Sequence, residues 1–215
     1  MHHLVVLGGS APPSSLAGRL PTNAFVIAAD SGVDHAFALG LTVNLAVGDM
    51  DSISPAGLAE LTRRHVPMQT HPCDKDATDG ELALLAATDR GVTSITIVTG
   101  ANTDRLDHLL ATIALICQPT LRYIAVDAWC GHAHLWVLHA GGGLRAATTS
   151  GEVITLLPSL GDAVGVTTSG LKWPLANAVL PSGSSRGVSN IATGAEVRIV
   201  LATGSLLVIS PEALP

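Results

Sequence analysis

Leu45-Ala46-Val47-Gly48-Asp49-Met50-Asp51-Ser52 is a short apolar run that stops at a glycine and then presents two carboxylates one residue apart. It reads as a buried β-strand whose carboxyl end carries an acidic loop, with Gly48 permitting close approach of backbone to a ligand. The plan recurs along the first half of the chain. Residues 25–29 lead into Asp30 and Asp34, residues 68–71 precede Asp74, Asp76 and Asp79, and residues 95–99 precede Asp104 and Asp107. Nine of the twelve aspartates fall in these four clusters, so their placement is a property of the fold. In an open parallel α/β sheet the carboxyl ends of all strands lie along one edge, where acids distant in sequence converge.

Aspartate is also a common helix cap and turn residue, and each cluster taken singly is open to that reading. Caps do not account for acid beside acid. Asp49 with Asp51, and Asp74 with Asp76, set like charges close together, which is unfavourable without a cation or strong local compensation. Mg²⁺ takes hard oxygen ligands and commonly binds one or two carboxylates, leaving its other positions to water and substrate phosphates. The clusters therefore point to a metal-dependent phosphate site in which Asp49 and Asp51 can share the ion.

Working outward, residues 3–7, 25–29, 45–47, 68–71 and 95–99 are apolar runs that read as strands, and turns with helical patterns come after them. Helices are expected over 33–39, over 55–64 with Pro55 near the first turn, over 78–90, and from Asp104 or Asp107 to Cys117. Thr78 with Glu81 forms a capping box, and Ser52 is expected to cap the helix after it. Such alternation predicts a mainly parallel sheet with right-handed crossovers. After about residue 127 the character changes to short β-prone runs between Gly-rich turns, which predicts an antiparallel sandwich or barrel. Two domains are expected: an α/β domain over residues 1–130 and an all-β, sandwich-like domain over residues 131–215.

Composition narrows the function. The net charge is −6 and aromatic residues make up 3%, so the clustered cations and stacking rings of a nucleic-acid surface are missing. Mean hydropathy is +0.45, yet Asp, Arg, His, Pro or Gly interrupts every apolar stretch before it reaches membrane-spanning length. The opening MHHLVVLGGS turns to Gly-Gly too early for a secretory leader, and a cytoplasmic protein is expected. Cys73, Cys117 and Cys130 show neither disulfide arithmetic nor zinc spacing. His132, His134 and His139 lie close together and leave a metal site or an ordinary strand both open.

Lys75, one of only two lysines, sits in Asp74-Lys75-Asp76-Ala77-Thr78-Asp79 just before a helix, where it can supply a point charge to phosphate. Arg105 can fork onto a phosphate, and Asp107 can accept a proton or hydrogen-bond an attacking hydroxyl. Asp107 as a plain helix cap is the alternative.

The segments A-A-D-S-G at 28–32, G-D-M-D-S at 48–52, D-K-D-A-T-D at 74–79 and D-R-L-D-H at 104–108 resemble, in order and spacing, the thiamine pyrophosphokinase family. G-L-K-W-P-L at 170–175 resembles the family's G-L-K-Y-P-L, and R-G-V-S-N at 186–190 its R-G-x-S-N. The match spans nearly the whole chain. It implies an α/β catalytic domain, a C-terminal β-sandwich that binds the vitamin, and a homodimer with active sites between subunits. The implied reaction is Mg²⁺-dependent transfer of the pyrophosphoryl group of ATP to the hydroxyl of thiamine, giving thiamine diphosphate and AMP. By position, Asp49, Asp51 and Asp79 hold the metal. Asp30, Lys75, Asp76, Thr78, Arg105 and Asp107 line the nucleotide and hydroxyl site, with Lys75, Asp76, Arg105 and Asp107 in catalytic roles. Ser189 and Asn190 face thiamine together with Trp173.

The chain departs from the family in the loop 101–104, at Thr112 where asparagine is frequent, and at Gly80 where leucine is usual. Trp173 stands in place of a tyrosine, and core packing beside Pro174 is its alternative role. Ser189-Asn190 as a plain turn is another. Rival functions are pyrophosphoryl transfer to another small alcohol of pterin type, a Mg²⁺-dependent nucleotide pyrophosphohydrolase in which the acids activate water, and a non-catalytic thiamine-binding protein.

Overall fold

The computed structural model describes residues 1–101 and 105–214. Asp104, expected near the start of a helix, and the loop positions Asn102 and Thr103 lie outside the described residues. Two compact units emerge, Met1–Leu115 with Ala128–His132 and Leu214, and Ile116–Asp127 with Ala133–Ala213. The chain thus passes from one to the other more than once.

In the first unit, strands β1 (His2–Val6), β2 (Phe25–Ala29), β3 (Leu45–Gly48), β4 (Met68–Thr70) and β5 (Ser94–Thr99) form a parallel sheet in the order β5-β1-β2-β3-β4. The β-branched and apolar runs Leu4–Val6, 26–29 and 95–98 are buried, as expected for strands covered on both faces. Edge strand β4 is exposed throughout. Helices α1 (Gly32–Ala38), α2 (Pro55–Arg63), α3 (Asp79–Thr88) and α4 (Leu106–Ile116) alternate with the strands. The segment after β1 makes a 3-10 turn, Ser14–Arg19, where the alternation anticipated a helix. Pro13 stands at its N-cap position, and no side chain caps its first turn.

Helix starts obey their local chemistry. Thr78 Oγ1 accepts a hydrogen bond from Glu81 N at 3.2 Å, one half of the capping box. Pro55 opens α2, but its cap is Ser54, whose Oγ accepts from Gly57 N at 3.0 Å. Ser52, expected in that role, lies two residues too early and donates to Asp30 Oδ2 instead. Asp34 clamps the same corner, accepting from Ser54 N at 2.8 Å and Ser54 Oγ at 2.5 Å. Asp34 itself caps no helix; it holds the residue that caps α2. Helix α4 buries only Ile116, leaving Leu106 and Leu110 about 60% exposed.

In the second unit, strands β7 (Ala133–His139), β14 (Ser205–Ser210), β9 (Val153–Pro158) and β12 (Asn190–Ile191) pair antiparallel in that order. A second antiparallel sheet runs β11 (Ala178–Leu180), β10 (Ala163–Ser169), β13 (Glu196–Val200), β8 (Gly143–Ala147). Leu138, Ile154, Leu156, Leu206 and Val208 of one sheet meet Val166, Leu180, Val197 and Ile199 of the other in one buried cluster. Two antiparallel sheets over a shared core make a sandwich. The fold is therefore a mainly parallel α/β region followed by an all-antiparallel region. Strand β6 (Ala125–Cys130) begins in the second unit and ends in the first. Among the described residues, no helix is long and apolar enough to cross a membrane.

Candidate active site

The sheet of the first unit places β1 between β5 and β2, so the chain winds both ways from it and a crevice opens at the carboxyl edge. A cavity of about 880 Å³ lies there, lined by Gly8 and Gly9 after β1, Asp30 after β2, Asp49 after β3, Lys75, Thr78 and Asp79 before and within α3, and Arg105 and Asp107 near α4. Its size suits a nucleotide-scale ligand.

Backbone geometry delivers the acids. Asp30 and Met50 take positive φ (50° and 67°), an uncommon conformation for non-glycine residues that clusters where structure serves function. Gly48, at φ 141°, fits only because it lacks a side chain. A Cβ there would stand 3.0 Å from Asp79 Oδ1 and 3.3 Å from Asp30 Cβ. Carboxylate oxygens of Asp30, Asp49 and Asp79 consequently lie within 4.8 Å of one another.

Lys75 is the internal counter-charge. Its ammonium donates to Asp49 Oδ2 at 3.1 Å and sits 3.0 Å from Asp79 Oδ1, with all three side chains at most about a quarter exposed. The approach to Asp79 is an ion pair without hydrogen-bond geometry, so Asp79 Oδ1 stays buried with no hydrogen-bond partner, as does Asp30 Oδ1. Lys75 holds the Asp49 carboxyl down at about 2, aided by the Asp51 N–H that Asp49 Oδ1 accepts at 3.2 Å. Asp79, then Asp49, raises the lysine in return. The charge of Asp49 pushes the neighbouring Asp51 carboxyl up. Asp51 is exposed, and one of its oxygens lies within 4.8 Å of an Asp49 oxygen and the Cys73 thiol.

Arg105 and Asp107 are both exposed and grip one another through two bonds, Nε to Oδ1 at 3.1 Å and Nη2 to Oδ2 at 2.9 Å. Arg105 thereby holds the Asp107 carboxyl at about 2. Such a weakly basic carboxylate is better suited to accept a hydrogen bond than to remove a proton outright. Asp76 is exposed and does not line the cavity.

In the sandwich unit, Trp173 is 53% exposed, so it is not a core side chain. Its neighbour Lys172 places Nζ 4.8 Å from the indole centroid. Asn190 is buried and grips the main chain of Trp173: Oδ1 accepts from Trp173 N at 3.1 Å and Nδ2 donates to Trp173 O at 2.8 Å. The signature asparagine thus acts on the tryptophan's backbone, a pairing across seventeen residues that sequence reasoning missed. Ser189 is exposed at φ 58°, and its N–H donates to Thr155 Oγ1 at 3.0 Å. Sequence reasoning also missed Gly8 and Gly9 as cavity residues, although a Gly-Gly pair directly after a strand is a readable signal. Of the three clustered histidines, His134 pairs with Asp127 at 2.7 Å and packs against Trp136 with the rings tilted by 45°. Among the described residues, none belongs to a group with metal-binding spacing.

Comparison with known proteins agrees with this architecture. Residues 18–126 match the family profile "Thiamin pyrophosphokinase, catalytic domain", and residues 144–206 match "Thiamin pyrophosphokinase, vitamin B1 binding domain". Thiamine pyrophosphokinase of Bacillus subtilis (strain 168) is 25% identical over 194 residues, 90% of each chain. A solved structure of thiamine pyrophosphokinase from Bacillus subtilis has the same fold, with a TM-score of 0.85 at 24% identity and full coverage of both chains. Thiamin pyrophosphokinase from Candida albicans keeps the fold at 14% identity, with a TM-score of 0.75 over 97% of this chain and 88% of that one. The chain belongs to the thiamine pyrophosphokinase family.

Proposed function

We propose that this enzyme transfers the pyrophosphoryl group of ATP to the hydroxyl of thiamine, releasing AMP, with Mg²⁺ at the carboxylate cluster. The observation that carries the proposal is the convergence of Asp30, Asp49 and Asp79, the last two paired with Lys75, in the lining of a nucleotide-sized cavity.

The residues fit the ion. The donors are hard oxygens, two of them are buried without a hydrogen-bond partner, and an ammonium already bridges Asp49 and Asp79. Asp49, Asp51 and Asp79 would hold Mg²⁺, and Asp30 stands within reach of the same centre. When bound, the ion neutralises charge that develops on the phosphate oxygens. The protein's remaining work is positioning, since such transfers need in-line geometry and little covalent help. Lys75 and Arg105 would bind phosphate oxygens, the first as a point charge and the second through a planar fork. Asp107, freed from part of its pairing as Arg105 turns to phosphate, would accept a hydrogen bond from the thiamine hydroxyl and aim it. Thiamine is a cation, which suits a chain of net charge −6. On the sandwich unit, the exposed Trp173 face held by Asn190, with Ser189 alongside in sequence, would receive the vitamin's rings.

Residues 1–130 would serve as the catalytic domain and 131–215 as the vitamin-binding domain of a cytoplasmic C2 homodimer with active sites between subunits. The exposed Leu106 and Leu110 of α4 support an oligomer, because a helix this apolar is normally covered. Light scattering should show a dimer; a fully active monomer at micromolar concentration would remove that part of the reading.

The deciding experiment is incubation with ATP, Mg²⁺ and thiamine, followed by identification of the products. Thiamine diphosphate and AMP are expected in equal amounts. AMP formed at the same rate without thiamine would replace the transferase with a nucleotide pyrophosphohydrolase.

A further inference from the structure

We propose that Thr168 is a positioning residue for thiamine: together with Asn190 it clamps Trp173-Pro174-Leu175 from two sides, so that the exposed indole is held in one place before the vitamin arrives. The inference rests on Trp173 receiving the vitamin, as proposed above. Thr168 lies in β10, 6% exposed, opposite Ile199 of β13. Its Oγ1 accepts from Leu175 N at 2.9 Å, and its own N–H donates to Leu175 O at 2.9 Å. Asn190 closes the same kind of ring on Trp173, and its Oδ1 also accepts from Ile191 N at 2.9 Å. Main-chain bonds extend the attachment toward residue 170: Lys172 N donates to Ile191 O at 2.8 Å and Thr193 N to Gly170 O at 2.9 Å.

The N–H and C=O of Trp173 and of Leu175 are thus all engaged, and Pro174 between them has a fixed φ and no N–H to offer. Leu175 packs on the sandwich core, whereas Trp173 and Pro174 are exposed. A surface loop ordinarily loses freedom when a ligand orders it, and that loss weakens binding. Here two buried polar side chains fix the loop during folding instead. Removing the Thr168 hydroxyl leaves the Leu175 N–H without its partner, so some stability is lost as well. Positioning is separated from stability by where the effect falls: on thiamine, with the nucleotide spared.

Thr168→Val removes the acceptor and keeps the branched shape. If it leaves the held arrangement about a tenth populated, the KM for thiamine rises about tenfold, with kcat and the KM for ATP near wild type. Thr168→Ser keeps the hydroxyl and should restore the wild-type KM. In the ligand-free protein, NMR should show the Leu175 amide exchanging at least about tenfold faster in Thr168→Val. Trp173→Leu should raise the KM for thiamine too. A thiamine KM raised in Trp173→Leu but unchanged in Thr168→Val, or unchanged Leu175 exchange, overturns the clamp and leaves the Trp173 reading standing. A thiamine KM unchanged in both variants overturns the Trp173 reading and the clamp with it. A Thr168→Val protein that does not fold, or in which kcat and both KM values shift together, makes Thr168 a structural residue only and overturns the proposal.

Discussion

The ends of β3 and β5 carry acids in the same plan, strand then glycine then aspartate, and the protein builds two different environments from them. After β3, Asp49 is tucked against Lys75, Gly48 lets Asp79 and Asp30 close in, and Asp30 Oδ1 is left buried without a hydrogen-bond partner. Near the end of β5, Asp107 lies in water and is neutralised by Arg105 two residues away. The first arrangement holds its charge density in place before any ligand arrives, as preorganised electrostatics requires. The second stores its charge in an exposed pair that a phosphate can open. A fixed carboxylate cluster beside an exposed ion pair is the division that the two strand ends display.

The sharpest way to break that contrast is Asp49→Asn. It removes a carboxylate from the cluster and one partner of Lys75 while keeping the side chain's size. Turnover at limiting Mg²⁺ is expected to fall by at least about 10²-fold, with partial recovery as Mg²⁺ is raised. Steady-state rates across a Mg²⁺ series check this, and a variant with wild-type turnover at limiting Mg²⁺ would sink the fixed-centre reading.

Asp107→Asn tests the responsive end. Turnover should fall by about 10²-fold with a smaller change in the KM for ATP, whereas Arg105→Lys should also raise that KM because an ammonium cannot fork. The sign of any pH effect comes from the pairing. A carboxyl held at about 2 in the free enzyme is already ionised across the ordinary carboxylate range, so Asp107 contributes no acid limb to the kcat/KM profile, which reports the free enzyme. The wild type and Asp107→Asn should therefore share the shape of that limb. Loss of the limb in the variant would show that Asp107 titrates in that range and acts as a base.

How much of this was legible depended on how local each signal is. Strand β2 falls on the expected residues 25–29, and Thr78 caps α3, because burial pattern and capping chemistry are written within a few neighbours. The acidic edge was legible because strand-then-acid recurs. What escaped depends on pairs that only the fold brings together. Asp34 is a clamp on Ser54, Asp30 closes on Asp79 across Gly48, and Asn190 holds the backbone of Trp173. No periodicity encodes such partners. Ser52 and Ser54 are both capping residue types, and Pro55, fixed at the first helical position, selects the one just before it.

Gly48→Ala probes the packing that separates the two ends. The new Cβ would press on Asp79 Oδ1 at 3.0 Å and Cγ at 3.2 Å, and alanine would be strained at φ 141°. A loss of about 1–3 kcal/mol in urea-unfolding free energy is expected. Gly40→Ala is the control, since its φ of 74° imposes strain but no atom lies within 4 Å. If both variants lose the same stability, contact with the aspartates contributes nothing and backbone strain alone explains the glycine.

The smallest effect belongs to a charge cluster that imitates the site but leaves its guanidiniums in water. On α2, Glu60 accepts from Arg63 Nε and Nη2 at 2.7 Å each and from Arg64 Nε at 2.5 Å. The two guanidiniums hold its carboxyl at about 2, below the ordinary 4.5. Because the folded-state value is depressed, the contribution is present above about 4.5 and fades as pH falls toward about 2. Glu60→Gln should therefore lower the urea midpoint slightly at neutral pH, less in high salt, and not at all once the wild-type carboxyl is protonated. Turnover should stay unchanged. A large, salt-insensitive loss of stability in Glu60→Gln would mean that ion pairs with exposed guanidiniums on this fold resist screening, and the contrast with the Lys75 cluster, whose ammonium is only 15% exposed, would lose its physical basis.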